Sequence, residues 1–219
     1  MATRVITTSD GSKSVYIEEI DEAYHSFHGA IQESMHVFIN SGLKFVEKSK
    51  NSINILEVGM GTGLNVLLTC LHTESNIKYT AIEKYPLPFD IIKELNFSNF
   101  FNNTNSQDIF SEIHNNNWGK EFNINKKFTL EKINLDIKSY ENKSIYDLIY
   151  YDAFAPSAQS EMWEEAILNK MYKMLNNNGI LVTYCAKGVV KRTLKKIGFH
   201  VEALPGPIGK REITRAIKT

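Results

Sequence analysis

The chain has little cysteine, no net charge and no long apolar run, and each lack excludes something. Two cysteines, Cys70 and Cys185, stand in 219 residues. Each lies inside an apolar stretch, neither has metal-type spacing, and a disulfide framework needs more. Both read as reduced, buried thiols of a cytoplasmic protein. No run approaches the roughly 18 apolar residues of a membrane span. Met1 to Asp10 holds no long apolar stretch, so no secretory leader is expected there. Lys and Arg total 25 and Asp and Glu total 25, so the whole-chain balance favours no polyanion. No internal repeat is visible. What remains is a chain with 42% hydrophobic residues, enough for one domain with a full core.

The hydrophobic period changes near residue 50. Before it, Arg4 to Thr8 and Ser14 to Ile17 are β-prone, a polar-aromatic segment runs from Tyr24 to Ser34, and Val37, Ile39, Leu43 and Val46 mark one helix face. After it, apolar strand-like runs alternate with helical ones. The strands are expected at Ile53 to Val58, Tyr79 to Ile82, Phe128 to Ile133, Tyr146 to Tyr151 and Ile180 to Cys185. Helices are expected at Leu64 to Leu71, from Pro86 and Pro88 to Leu95, at Trp163 to Leu175 and at Val189 to Ile197. Phe199 to Leu204 and Glu212 to Ile217 close the chain as a hairpin around a Gly/Pro turn. The segment from Phe100 to Lys127 is Asn-rich and irregular. This alternation predicts an α/β, Rossmann-like domain over residues 51–219, with a seven-stranded, mostly parallel sheet and an antiparallel C-terminal hairpin. Residues 1–50 are expected to form a small N-terminal β extension.

The first long strand feeds the turn Glu57-Val58-Gly59-Met60-Gly61-Thr62-Gly63 and then a helix. Glycines there let backbone approach a ligand closely. The acid at Glu57 separates this turn from a dinucleotide fingerprint, because a carboxylate would repel a pyrophosphate. It suits the sulfonium and ammonium groups of S-adenosylmethionine, directly or through water. Glu83 ends the next strand, twenty positions after Gly63, where an acid accepts hydrogen bonds from ribose hydroxyls. Asp136 follows the third strand and is placed to meet an adenine amino group. The expected cofactor residues are thus Glu57, Gly59, Gly61, Gly63, Glu83 and Asp136.

The fourth strand, Tyr146 to Tyr151, runs straight into Asp152-Ala153-Phe154-Ala155-Pro156. Ligands of open α/β sheets sit beyond the carboxyl ends of the strands. A carboxylate ending so apolar a run is costly unless it has a task or a partner. Phe154 and Pro156 make a flat wall beside it. The combination suits an amine acceptor, which Asp152 would orient and deprotonate.

These blocks together resemble the methyltransferase of the MnmC/MnmD family. The similarity is carried by Phe27 to Ser34 with Val37 to Ile39, by Leu56 to Asn65, by Glu83 to Leu87, and by Asp152 to Pro156 with Glu161-Met162-Trp163. Thr183 to Gly188 and Gly206 to Glu212 complete it. The resemblance implies a class I fold and S-adenosyl-L-methionine as cofactor. It implies methylation of the primary amine of 5-aminomethyl-2-thiouridine at the tRNA wobble position. It makes Asp152 the catalytic or amine-orienting residue and puts Gln32 and Glu33 in a segment that closes over the site, Glu33 on the cofactor side and Gln32 on the acceptor side. In some relatives the domain is fused to a flavin-dependent oxidase, so a separate oxidase is the expected partner, along with the tRNA anticodon stem-loop.

Charge distribution is consistent with an RNA partner. From Cys185 to Thr219 nine basic residues face two acids, so this stretch carries +7 against −7 for the first 184 residues. Lys210 and Arg211, in a glycine-flanked loop, are the best candidates for RNA contact. Tyr24 and Phe27 are candidates to stack on an extruded uridine. His25, His28 and His36 have no metal spacing, and no metal is expected. His28 has two readings, a substrate contact or packing, and Trp163 reads as core or as a stacking platform. Two other functions fit parts of the pattern: an aminopropyltransferase or small-molecule amine N-methyltransferase on the same fold, and a non-catalytic RNA-binding protein.

Overall fold

Mostly apolar runs of β-branched and aromatic residues become central strands, because only a strand covered on both faces can bury every side chain. The clearest case is Tyr146–Tyr151, in which all six residues are buried and the one charged residue, Asp147, is paired with Lys50 and accepts from the Asn54 amide. A computed structural model describes residues 2–101, 105–141 and 145–219. In chain order the strands are β1 (Thr3–Thr7), β2 (Lys13–Ile17), β3 (Glu22–Ala23), β4 (Ser52–Val58), β5 (Asn76–Glu83) and β6 (Glu121–Asn125). They continue with β7 (Phe128–Asn134), β8 (Tyr146–Tyr151), β9 (Leu175–Thr183), β10 (Phe199–Pro205) and β11 (Glu212–Lys218). The helices are α1 (Ala30–Ser34), α2 (Lys44–Val46), α3 (Leu64–His72), α4 (Phe89–Glu94), α5 (Ser106–Asn115), α6 (Glu165–Met174) and α7 (Gly188–Ile197).

The main sheet has the order β10-β11-β9-β8-β4-β5-β7-β6. Strands β4, β5, β7, β8 and β9 pair in parallel, and β11 enters antiparallel between β9 and β10. This is the Rossmann-like sheet with a closing hairpin that the alternation predicts. It has eight strands rather than seven. The added strand, β6, lies antiparallel on β7 at the edge, in the stretch read as irregular. Only Phe122 and Ile124 alternate there, with a bulge between Asn123 and Asn125, too short a signal to stand out from its Asn-rich surroundings. Within the Asn-rich stretch from Asn96 to Asn105, residues 102–104 lie outside the described residues. The start of β9 at Leu175 also precedes expectation. Asn178 adopts a left-handed φ of 62°, and the strand bulges through Asn176–Gly179 instead of beginning at Ile180.

Period-two alternation sends side chains of one strand to two cores. Ile53 and Ile55 of β4 face a cluster with α3, while Leu56 and Val58 face a second cluster with α6 and α7. The N-terminal residues join the first cluster through a helical run that continues from α1 through a wider π-wound stretch, Met35–Leu43, into α2. Gly42 lies so close to the sheet that a Cβ there would stand 3.0 Å from Val182 and 3.2 Å from Tyr150. β1, β2 and β3 form a separate antiparallel sheet, which delivers Tyr24 and His25 to the carboxyl ends of β4 and β8.

Candidate active site

Three neighbouring strands end in the features that the sequence singled out. β4 ends in the glycine turn, β5 ends at Glu83, and β8 runs into Asp152. The turn is tied to its neighbours by backbone: Gly59 and Met60 donate to Ile82 at 3.0 and 3.2 Å, and Asp152 donates to Val58 at 3.0 Å. Two glycines are required by this closeness. Gly59 has φ +89°, and a Cβ on it would lie 2.7 Å from the Asp152 carbonyl oxygen. Gly61 has φ +50°, and its Cβ would lie 2.6 Å from the Tyr24 ring. Any side chain at either position is strained and collides.

These strand ends open into a cleft of about 630 Å³, within the size range of small-molecule sites. It brings together Tyr24, Phe27, Glu33, Gly59, Gly61, Glu83, Asp136, Asp152, Phe154 and Lys210. Gln32, Glu57, Gly63 and Arg211 are not part of its lining. Gln32 is half-buried, and its backbone N–H donates to Asp10 Oδ2 at 3.2 Å. Arg211 points to solvent one residue beyond the lining. Glu57 corrects the expectation of a direct cofactor contact. It shares a strand face with Ile55, not with Val58, and so its side chain turns under α3 and is completely buried.

The acids differ sharply in surroundings. The Glu83 carboxylate accepts from the amides of Gly61 at 2.9 Å and Tyr85 at 2.8 Å, which fixes it at the lip of the turn. Asp136 accepts from the Lys138 amide at 2.9 Å and pairs with Lys84 at 3.0 Å. Partial burial works against its charge, but these two donors prevail and hold its carboxyl below the usual range. Asp152 has the opposite balance. Burial, then the Glu33 charge, push its carboxyl up to about 7, and the hydrogen bond from Asn65 and the more distant Lys210 only partly oppose this. Burial likewise raises Glu57 well above the carboxylate range, with the Asp152 charge adding to it.

The wall around Asp152 is aromatic and braced. Tyr24 meets Phe154 edge to face at 5.1 Å between centroids. Trp163 donates its indole N–H to the Phe154 carbonyl at 2.7 Å, and Tyr184 donates to the Ala153 carbonyl at 2.8 Å. Trp163 is therefore core, and its polar handle locks the loop that carries Asp152. Across the cleft, Lys210 pairs with Glu33, and its ammonium lies 4.1 Å from the Tyr184 ring centroid. Glu33 also accepts from the Ser26 amide at 2.9 Å. His28 packs on Gly209, where a Cβ would collide with its ring. The N-terminal segment and the β10–β11 loop thus clasp each other over the site.

Some contributors gave no signal in sequence. Asn65, in the first turn of α3, donates from its side-chain nitrogen to Glu57 Oε1 and to Asp152 Oδ2, both at 2.9 Å. His25 bonds the Thr62 hydroxyl at 2.7 Å and His114 bonds the Thr62 carbonyl at 3.2 Å, so two histidines grip the glycine turn from opposite sides. Burial pushes both imidazoles down to about 4, so they hold the turn as neutral rings. Nothing in residue type or spacing marks these roles, since each partner comes from a distant part of the chain.

The cleft lining carries six carboxyl groups, from Glu22, Glu33, Glu83, Asp136, Asp152 and Glu161, against the ammonium groups of Lys84, Lys138 and Lys210. That excess favours cationic ligands. The glycine cradle, the fixed carboxylate of Glu83 and the acids near Asp152 fit a nucleoside carrying a sulfonium and an ammonium group.

Comparison with known proteins agrees with this geometry. A family model described as S-adenosyl-L-methionine-dependent methyltransferase matches residues 102–219. The tRNA 5-methylaminomethyl-2-thiouridine biosynthesis bifunctional protein MnmC of Cupriavidus metallidurans is 27% identical in an alignment of 229 positions that covers 96% of this chain and 33% of that protein. Its namesake in Campylobacter hominis is 27% identical over 215 residues, 92% of this chain and 31% of its own length. The chain thus spans about a third of the length of these curated relatives. The crystal structure of MNMC2 from Aquifex aeolicus matches with a TM-score of 0.75 at 25% identity, covering 98% of this chain and 70% of that one.

Proposed function

The chain belongs to the family of S-adenosyl-L-methionine-dependent methyltransferases, and from that premise we propose that it methylates the primary amine of 5-aminomethyl-2-thiouridine at the tRNA wobble position. The observation that carries this reading is Asp152, a carboxyl raised to about 7 at the end of a buried strand, beside an aromatic wall. The names of the relatives point to the same product.

Bound S-adenosyl-L-methionine supplies a methyl group made electrophilic by its sulfonium charge. Gly59, Gly61, Glu83 and Asp136 hold the cofactor. The other work falls to residues around Asp152. An alkylamine arrives protonated and must lose a proton before its lone pair can attack. Asp152 is the acceptor for that proton, and its high proton affinity for a carboxyl suits this task near neutrality. Tyr24, Phe27 and Phe154 flank the uracil ring, and Glu33, half of the ion pair over the site, adds negative charge that attracts the ammonium. The clasp made by residues 1–50 covers the site and excludes water. Lys210, with Arg211 behind it, meets the RNA backbone at the mouth. The acceptor amine is released by a separate oxidase acting earlier on the same nucleoside, and the setting is the cytoplasm. No described helix is long and apolar enough to cross a membrane.

The test is nucleoside mass spectrometry of tRNA bearing aminomethyluridine, incubated with the purified protein and cofactor. One added methyl on that nucleoside is expected. Transfer to polyamines or other small amines with none to tRNA would overturn the assignment.

A further inference from the structure

Glu57 is buried without an ion-pair partner among the described residues, which calls for an explanation. It is wholly enclosed, its Oε1 accepts from Asn65 at 2.9 Å, and its Oε2 has no hydrogen-bond partner. A buried carboxylate without a cation takes up a proton rather than bear the cost of charge in a dry site. Of its other close polar neighbours, the Tyr79 hydroxyl favours the charged form only weakly against burial, Asp152 is itself acidic, and neither supplies a cation.

Asn65 stands between the two carboxyls. A carboxamide nitrogen carries two hydrogens, and here one goes to Glu57 and one to Asp152. The amide cannot follow either partner without breaking the other bond. Its own backbone is held in turn, because the Thr69 hydroxyl donates to the Asn65 carbonyl at 2.6 Å. Asp152 Oδ1 makes no hydrogen bond to a described residue, while Oδ2 is committed to Asn65.

We propose that Asn65 and Glu57 are positioning residues for Asp152: Asn65 clamps one oxygen of the Asp152 carboxyl, and Glu57, as a neutral acid, holds the Asn65 amide in the orientation that does so. Glu57 therefore serves the proton acceptor and not the cofactor. This rests on the role of Asp152 given above. The groups facing Asp152 that bear on its protonation are Glu57 from β4, Asn65 from α3, Glu33 from α1, Tyr79 from β5, Tyr184 after β9 and Lys210 from the β10–β11 loop. Among them Asn65 is the one that donates a hydrogen bond to the carboxylate, so its loss favours the protonated form.

The experiment compares Asn65→Leu, Glu57→Gln and Asp152→Asn in the full chain, reading cofactor Kd by calorimetry, thermal unfolding, and kcat and KM for aminomethyl tRNA against pH. Asn65→Leu is expected to lower kcat by about 100-fold near pH 7, to move the acidic limb of the profile upward by about one pH unit, and to leave cofactor Kd within about threefold. Glu57→Gln keeps a neutral acceptor for the Asn65 amide, and is expected to lose less than about fivefold in kcat with cofactor Kd within about threefold. A limb that stays in place in folded Asn65→Leu overturns the proposal. So does a cofactor Kd weakened tenfold or more by Glu57→Gln, which would return Glu57 to the cofactor. If Asp152→Asn keeps full activity, the role of Asp152 fails first. If that variant is inactive and Asn65→Leu behaves as the parent, only the positioning role fails. Should Asn65→Leu not fold, Asn65→Ala removes the same donor: a limb that moves upward supports the proposal, and one that stays in place overturns it.

Discussion

Asp136 and Asp152 follow two strands of one sheet, face one cleft and have the same side chain, yet they are held in opposite states. Asp136 sits where a loop amide and Lys84 reach it, and it stays charged. Asp152 emerges from a strand buried along its whole length, meets a second acid in Glu33, and has only an amide to satisfy it. Position in the sheet therefore decides which carboxyl can exchange a proton and which can only accept hydrogen bonds. An edge-side acid beside lysines binds, and a central acid beside acids titrates.

Exchanging the carboxyl for a neutral isostere breaks the comparison most directly. Asp152→Asn is expected to lower kcat by roughly 10³-fold with cofactor affinity nearly unchanged, as measured by steady-state rates and calorimetry. Asp136→Asn should leave kcat near the parent value. The next effect is on pH dependence. Turnover should rise through an acidic limb near pH 7, where Asp152 loses its proton. Its folded-state proton affinity lies above the unfolded value, so its contribution to stability is complete in acid and lost as pH rises through about 7. Asp152→Asn should accordingly raise stability at pH 8, by roughly 1–3 kcal/mol in denaturant unfolding, and have little effect at pH 4. Asp136 has the reverse sign: its stabilisation is present above the unfolded carboxyl value and fades as pH falls below it.

Smaller effects sharpen the contrast at its margins. Gly61→Ala forces a left-handed residue against Tyr24, and cofactor affinity is expected to fall about tenfold by calorimetry, the cost of roughly 1–2 kcal/mol of strain. Lys210→Met removes one cation facing the RNA, and should reduce the salt slope of tRNA binding by about one while weakening affinity several-fold. The smallest change is expected for Asp136→Asn, a few-fold loss of cofactor affinity, since its carboxylate is already committed to Lys84 and Lys138.

Much of this was legible from the chain itself. The run into Asp152 and the glycines before α3 announce themselves because local constraints produce them: a strand covered on both faces must be mostly apolar, and a turn with positive φ wants glycine. The mostly parallel sheet follows from alternation, but its strand order does not. The motif position of Glu57 points to the ligand, directly or through water, whereas strand periodicity puts its side chain with Ile55 under α3 and outside the cleft lining. Applying that periodicity to the last residues of β4 would have shown it. Asn65, His25 and His114 were invisible for a different reason. Their partners lie 87, 37 and 52 residues away, and only the folded sheet makes them neighbours. The eighth strand was missed because five residues at an edge need to bury only two side chains.

The placement of β11 between β9 and β10 has a consequence for how the molecule is made. Synthesis delivers β10 before β11, the strand it must lie against, so β10 has no sheet partner until β11 has left the ribosome. The loop bearing Lys210 sits between these two strands and clasps the N-terminal segment at Glu33, which was made 177 residues earlier. A growing chain thus forms its glycine turn well before it can close the mouth. Deleting residues 212–218 is expected to free β10 as well, seen as protease cleavage after Lys195 or Lys196, and to leave a nascent-like chain whose cleft cannot shut.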